Sequence, residues 1–339
     1  MRLRGGLGGF VAALAGAALT AGGIVPLAVG GSAAAAPALL AAASQLPDFG
    51  NPNGHAAVPL AGRAVSTSHP NHVIGKGTPA SCTSAAVVKA VTAGGIITFK
   101  CGPAPVTITL TATAKVRNTS HLVVLDGGGL VTLSGGGVRR ILYQNTCDPK
   151  QRITTSDCFN QRWPQLIVQN MTFTAGNSKA RQTNGNFGGA AIRALAQWRN
   201  RPVYITSDTF RGGRCSNGGA LSSIGVSWVV LNSMMTGNKA IGFGANPARA
   251  GTPGGGSGGA IYTDGNRYSV KIAGTVISNN SAREGGGAIF FVSDNNTGTL
   301  TIGSSTLHHN PSAGFSTPGF PGIFFHSAGH PRVTNSTIN

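Results

Sequence analysis

Residues 258–280 read GGAIYTDGNRYSVKIAGTVISNN, and copies of this pattern recur between residues 166 and 339. Each copy contains an apolar anchor position, and the anchors are Phe173, Phe210, Met235, Ile277, Leu307 and Ile338. Five residues before the anchors stand Val168, Ile205, Val230, Ile272, Ile302 and Val333. Seven residues before them come Leu166, Val203, Trp228, Val270 and Leu300, with Pro331 as the one departure. Apolar residues that alternate in this way predict short strands with one buried face.

Gly-Gly-Ala motifs lie between the anchors, and each indicates a second short strand entered through glycines. They are Gly188-Gly189-Ala190, Gly218-Gly219-Ala220, Gly258-Gly259-Ala260 and Gly286-Gly287-Ala288. The intervals between copies vary, which suits fixed strands joined by loops of different length rather than a helical repeat. Because neither strand can bury its inner face alone, successive copies are expected to stack about 4.8 Å apart. The sequence therefore predicts an all-β solenoid, a parallel β-helix.

Three copies place an asparagine three residues after the anchor, namely Asn238, Asn280 and Asn310. Stacked amides on successive copies can hydrogen-bond to one another and to turn backbone that would otherwise be buried unpaired. We expect an internal asparagine ladder. The alternative is that these residues are exposed turn asparagines.

The combination of Gly-Gly-Ala-Ile with an anchor followed by asparagine resembles the paired repeat of polymorphic outer-membrane proteins. More widely, residues from about 80 to 339 resemble the pectate-lyase-like superfamily. The resemblance implies a right-handed parallel β-helix. It does not specify a reaction, because surface adhesins and polysaccharide enzymes both belong to this group.

The N-terminal region reads as an export signal followed by a linker. Two arginines open the chain, no further charged residue appears before Asp48, and small residues at 32–36 suit signal peptidase. We predict a signal peptide over 1–36, a flexible Ala/Pro-rich linker over 37–78 and the β-helix domain over 79–339, hence a secreted or cell-surface protein. The alternative for the first segment is a retained membrane anchor. Within the domain, residues 84–93 carry apolar positions at helical spacing before Gly94, which predicts a short N-terminal capping helix.

Five cysteines in an exported chain favour disulfides over a metal site. Cys82 and Cys101 bracket the capping helix, and Cys147 and Cys158 bracket a polar segment, so these are the predicted pairs. Cys215 is left over. Sequence does not fix the connectivity, and exchange between these assignments stays open.

The net charge of +18 favours acidic partners. Lysine and arginine are scattered and aromatic residues make up only 6% of the chain, which argues against a nucleic-acid channel. An acidic polysaccharide or surface glycan is the expected partner of a monomer without a stable membrane span after signal cleavage. The alternative is that the excess arginine only keeps a glycine-rich surface soluble.

Candidate chemistry is limited by the scarcity of acids, since the chain has eight and no Asp-Asp pair. That weighs against a hydrolase of the polygalacturonase kind, which needs two carboxylates across the scissile bond. Arg162-Trp163-Pro164 resembles the start of the Arg-x-Pro-x-x-Arg motif of pectate lyases, but Ile167 stands in place of the second arginine.

Alignment of the copies places one group of candidate site residues together. Asp264 and Asp294 fall at the same predicted corner of adjacent copies, near Arg267, where they are weak candidates for a calcium site with an arginine base. Candidate sugar-binding arginines on the matching corner two copies earlier are Arg193, Arg199 and Arg201. The alternative is that both aspartates only form turns.

Histidines at 308, 309, 326 and 330 are expected in turn and surface roles. A zinc site is not favoured, because an i,i+4 spacing such as that of His326 and His330 does not place two side chains on one face of a β-helix. The preferred function is binding of acidic polysaccharide or surface glycan. The alternative is an enzyme acting on such a polymer, a lyase rather than a hydrolase. No cofactor other than calcium is indicated.

Overall fold

The computed structural model describes residues 49–59, 67–118, 120–145, 163–178, 188–195, 200–242 and 255–339. Within these ranges the chain is mainly β-strand, and the paired strands run parallel. The predicted signal segment and the Cys147–Cys158 pair lie outside the described residues.

The first elements confirm the predicted helix. Strand β1 (His72–Ile74) and a 3-10 turn (Pro79–Ser81) precede helix α1 (Ser84–Ala93). Thr83 caps the helix by accepting a hydrogen bond from the backbone N–H of Ala86 at 3.2 Å, and Gly94 ends it with a φ of 80°. Val87, Ala90 and Val91 are buried, and α1 packs on the first strands. The disulfide between Cys82 and Cys101 is present, with a Cα–Cα distance of 5.7 Å.

Most strands belong to one fifteen-stranded sheet. Besides β1 it contains β2 (Gly95–Phe99), β3 (Val106–Thr109), β5 (Leu122–Ser134), β7 (Gln165–Thr174), β9 (Val203–Thr206), β10 (Thr209–Arg211), β13 (Trp228–Leu231), β14 (Met234–Thr236), β17 (Ser269–Ala273), β18 (Val276–Ser278), β21 (Thr299–Gly303), β22 (Thr306–His308), β24 (Arg332–Thr334) and β25 (Thr337–Ile338).

Two smaller sheets complete the described structure. The seven-stranded sheet contains β4 (Ala114–Val116), β6 (Leu142–Asn145), β8 (Ile192–Leu195), β12 (Leu221–Ile224), β16 (Ile261–Asp264), β20 (Ile289–Val292) and β23 (Ile323–His326). The three-stranded sheet contains β11 (Arg214–Cys215), β15 (Lys239–Ala240) and β19 (Ser281–Ala282). Residues of the two larger sheets share one apolar core, which explains why single strands of this length are stable here.

Strand register confirms the alignment of the copies. The anchors pair in sequence order, from Phe173 with Phe210 to Leu307 with Ile338. The column from Val168 to Val333 pairs in the same way. Each copy therefore contributes its strands to the same sheets, directly beside those of the next copy.

The asparagine ladder is also confirmed. The Asn238 side-chain amide donates to the Asn280 side-chain oxygen at 2.9 Å, and Asn280 donates to Asn310 at the same distance. All three are buried, and their amides also reach the backbone carbonyl oxygens of Phe210, Met235 and Ile277. The alternative of exposed turn asparagines is wrong.

The first Gly-Gly-Ala motif is shifted by one residue relative to the prediction. Ile192 pairs with Leu221, so the equivalent of Ala220 is Ala191 rather than Ala190. The extra alanine between Gly189 and Ile192 causes this shift.

Part of the predicted flexible linker makes specific contacts. Strand β1 pairs with β2, which starts the described fold before residue 79. Residues 49–59, which we call the strap, lie against turns of the fifteen-stranded sheet. Gly50 N–H donates to the Thr209 hydroxyl at 2.7 Å, and the Asn51 side chain donates to the Gly274 carbonyl oxygen at 2.8 Å. The linker prediction is therefore corrected for these two segments, because their backbone groups find partners far along the chain.

No helix in the described ranges is long and apolar enough to cross a lipid bilayer.

Candidate functional site

The two candidate aspartates lie at adjacent turns after strands of the seven-stranded sheet. Asp264 is the last residue of β16 and is half-buried, whereas Asp294 follows β20 and is exposed. The backbone N–H of Asp294 donates to the carbonyl oxygen of Gly265 at 2.9 Å, so the two turns touch. This brings together the two carboxylates that the alignment singled out, and their chemical role stays a prediction.

The surroundings of Asp264 favour its neutral form. Burial raises the pKa of this carboxyl, the negative charge of Asp294 raises it further, and the hydrogen bond from the Tyr262 hydroxyl opposes these effects. That bond measures 3.0 Å. Burial is likewise the main cause that raises the pKa of the Tyr262 phenol, with the carboxylate of Asp264 adding to it. The pair is thus one hydrogen-bonded unit that resists ionisation.

Arg193 occupies a different place from the predicted one. It lies within strand β8, where it pairs in register with Ser222, and Ser222 pairs with Tyr262. Its side chain is only 2% exposed and donates to the Ser222 hydroxyl. Burial and the neighbouring cation Arg140 lower the pKa of the Arg193 guanidinium to about 10. Arg193 is therefore a buried strand residue in the same register column as Tyr262, two strands away, and its predicted sugar contact stays a prediction.

The other arginines predicted for the site are Arg199, Arg201 and Arg267. Arg199 lies outside the described residues. Arg201 and Arg267 are both exposed and lie near the start of strands in the fifteen-stranded sheet.

A polar groove of about 230 Å³ contains Arg267 and crosses the start of β13, β17 and β21. Its lining residues carry hydroxyl, amide and guanidinium groups: Asn200, Ser227, Arg267, Tyr268, Ser269, Thr297 and Thr299. Tyr268 is buried and donates its hydroxyl hydrogen to the Val292 carbonyl oxygen at 2.6 Å, which fixes this residue in place. Because Asn200 precedes β9, the lining residues come from four consecutive copies.

Exposed cations extend from the groove over the outer face of the same sheet. Lys271 is paired with Thr301, and Thr301 with Arg332, so these three residues form one outward column. Lys271 and Arg332 are exposed, as is Arg267, which lies four residues before Lys271 in the chain. We call Arg267, Lys271 and Arg332 the basic strip.

An aromatic column on the seven-stranded sheet was not predicted from the sequence. The rings of Tyr262 and Phe290 stack at 5.0 Å, as do those of Phe290 and Phe324. Phe315 packs edge-on against Phe324 at 4.7 Å and is 44% exposed. The available signal was that an aromatic residue directly follows Ile261, Ile289 and Ile323 at three equivalent positions. Because the rings stack along the copies, they turn their edges rather than their faces to the outside.

The remaining described acids have structural partners. Asp126 accepts hydrogen bonds from the side chains of Gln169 and Asn170. Asp208 is fully buried and accepts from the backbone N–H groups of Met171 and Thr206. Neither belongs to the groove.

Metal ligands are few in the described part of the chain, where no group of three or more His, Cys, Asp and Glu residues is close enough to share an ion. Asp264 and Asp294 would supply two carboxylates to the predicted calcium, and the first is already engaged by Tyr262. Calcium at this position stays a prediction. Cys215 is a buried free thiol, 2.7 Å from the Ser178 hydroxyl.

Comparison with protein-family models, with curated proteins and with solved structures finds no match to this chain.

Proposed function

We propose that this protein is a secreted or cell-surface right-handed parallel β-helix of the pectate-lyase-like kind, and that it binds acidic polysaccharide along the polar groove and the basic strip. The observation that carries this proposal is the groove, which is lined by four consecutive copies and combines hydroxyl and amide groups with the exposed guanidinium of Arg267. In-register parallel pairing of each copy with the next supports the solenoid.

The shape of the groove favours a polymer. Pockets that enclose a small molecule usually measure about 300–1,000 Å³. A groove of about 230 Å³ is smaller and open to solvent, so it suits one part of an extended ligand. The ligand would continue over the outer face of the sheet, where Lys271 and Arg332 lie.

The charge of the site favours an acidic ligand. Arginine and lysine donate charge-assisted hydrogen bonds to carboxylate and sulfate groups, and arginine can do so with two parallel bonds. With a net charge of +18, the whole molecule also attracts polyanions at low ionic strength. Binding is therefore expected to weaken as salt is raised.

Affinity electrophoresis with polygalacturonate, alginate and neutral dextran tests the proposal. The wild type is expected to be retarded by the two acidic polymers and not by dextran. Arg267→Ala combined with Lys271→Ala is expected to weaken retention, whereas Arg283→Ala, an exposed arginine that follows β19, serves as the matched control. Equal loss in both variants would mean that total charge, rather than the groove, is responsible.

Cleavage of the same polymer is the second candidate, and Asp264 is the observation that favours it. A half-buried carboxyl with a raised pKa beside an exposed one is the kind of pair that separates acid and base roles. If the site is catalytic, incubation should release unsaturated chain ends for a lyase or reducing ends alone for a hydrolase. Asp264→Asn should then abolish the release while retention on the polymer stays near normal. Absence of both kinds of end in the wild type would remove this candidate.

A further inference from the structure

Two neighbouring histidines at the end of strand β22 face each other. His308 is the last residue of β22, and the Nδ1 atoms of His308 and His309 are 2.9 Å apart. His308 is half-buried and His309 is exposed. They lie apart from the groove, in a turn that follows an anchor rather than at the start of a strand.

The backbone explains why the two rings meet. Successive side chains of a strand point to opposite faces, which would separate neighbouring imidazoles. His309 has a φ of 52°, in the left-handed region, and this turn brings its ring to the side of His308. Asn279 occupies the position equivalent to His309 in the preceding copy and has a similar φ of 56°. The left-handed turn therefore belongs to the repeat, whereas the second imidazole is specific to the copy that contains His309.

The separation of the two nitrogens matches a chelate. Imidazole nitrogens bind divalent transition metals at about 2.0–2.1 Å, and two nitrogens 2.9 Å apart then subtend close to a right angle at the ion. A tetrahedral ion would require about 3.3 Å between them at the same bond length. Right-angled nitrogen ligation is typical of tetragonal Cu²⁺ and Ni²⁺, and Cu²⁺ binds most tightly in the general affinity order.

We propose that His308 and His309 form a two-imidazole site for a divalent transition metal ion that prefers tetragonal coordination. Among such ions, Cu²⁺ is expected to bind most tightly. The two Nδ1 atoms face each other in the hydrogen-bonded pair, and rotation of each ring about its broad χ2 torsion turns both lone pairs toward one ion. The ring that carries a hydrogen on Nδ1 in the hydrogen-bonded pair moves it to Nε2, so both imidazoles bind in neutral form.

Space for further ligands adjoins the pair. His309 lines an open depression of about 960 Å³, which Asn279 and Ser312 also line. Water or these side-chain oxygens can fill the remaining positions of the ion. The site does not depend on the proposed glycan binding.

Cu²⁺ titration of the full-length protein, followed by electron paramagnetic resonance, tests the site with variants taken from the repeat itself. His309→Asn introduces the residue found at position 279, which accepts the left-handed turn. His308→Ser introduces the residue that pairs with it, Ser278. Each is expected to keep the fold and to weaken the strongest copper site about tenfold or more, with loss of imidazole nitrogen splitting in the spectrum.

The control is His330→Asn, which removes another exposed histidine. It is expected to leave the strongest copper site unchanged. Wild-type affinity and an unchanged spectrum in His309→Asn would overturn the proposal, and so would an equal loss in His330→Asn.

Discussion

At the scale of single residues, the buried asparagines provide hydrogen-bond partners for the backbone groups of a buried turn. Each amide donates to a carbonyl oxygen of the preceding copy and each side-chain oxygen accepts from the backbone or side chain of a neighbour. A buried carbonyl oxygen or N–H left without a partner costs about 1–3 kcal/mol. The ladder therefore offsets the cost of burying the turn after the anchor in the three copies that carry asparagine.

Asn280→Ala is expected to reduce the free energy of unfolding by about 2–4 kcal/mol, because it leaves more than one buried group without its partner. Asn280 is the central member and bonds to both Asn238 and Asn310. Urea denaturation measures the effect. Asn266→Ala, at an exposed position, is the control, and an equal loss there would contradict the ladder's role.

Asp208 should make stability depend on pH. Burial raises the pKa of its carboxyl well above the ordinary value, against two backbone hydrogen bonds that lower it. A raised folded-state pKa favours the protonated carboxyl. The contribution of Asp208 to the free energy of unfolding is therefore fully present below the ordinary pKa near 3.8 and is lost as pH rises through the raised pKa.

Asp208→Asn removes this titration. The melting temperature of the variant relative to wild type is therefore expected to be highest at neutral pH and to fall as pH approaches 4. Thermal melts between pH 4 and 8 check the trend. A flat difference over this range would contradict the prediction, because it would mean that burial does not raise the pKa of the Asp208 carboxyl.

At the scale of strands and turns, the position of each inward side chain follows from the repeat. Met235 is fully buried and pairs with Phe210 and Ile277, whereas its neighbour Met234 is half-buried on the other face of β14. Met234 and Met235 therefore provide a matched pair of substitution sites, one on each face of β14.

Met235→Asp is expected to destabilise the domain by several kcal/mol, since a buried carboxylate without a partner is costly and the loss passes to the neighbouring copies. Met234→Asp should cost much less. Thermal unfolding of both variants measures the difference, and similar melting temperatures would show that the register is wrong.

The sequence was most informative about strands because inward columns are apolar in every copy. Outward positions carry no such pattern, so the aromatic column and the burial of Arg193 were missed. The strap was missed for another reason: its partners, Thr209, Asn232 and Gly274, lie 159 to 223 positions away, and no local periodicity indicates pairs of that kind. The sequence predicts the position of the candidate site only coarsely, because the shape of the groove depends on loop conformations that the repeat does not specify.

At the scale of the whole molecule, the strap contacts three consecutive copies, at Thr209, Asn232 and Gly274. Stacked repeats contact mainly the copy on either side, so their unfolding is cooperative only through nearest neighbours. Asn232 joins the strap by two bonds with the backbone of Ala56, at 2.8 and 2.9 Å, while Asn51 reaches Gly274 one copy further on. The strap is thus a second connection between these copies.

Asn232→Gly is expected to lower the melting temperature and to broaden the transition, because it releases the strap. Glycine keeps the left-handed turn that Asn232 adopts at a φ of 50°, and the paired position in the next copy is already Gly274. Calorimetry provides the measurement. Asn335→Gly changes the same turn position in the last copy, and an equal effect there would exclude a role for the strap.

In-register pairing also has an evolutionary consequence. Because each copy presents to the next the same surface that it receives from the one before, gain or loss of one whole copy leaves every remaining pairing intact. The groove would lengthen or shorten by one strand spacing, about 4.8 Å, with each such event. The length of the groove, and of the polymer that we propose it binds, can therefore change by genetic duplication, without any redesign of the individual contacts.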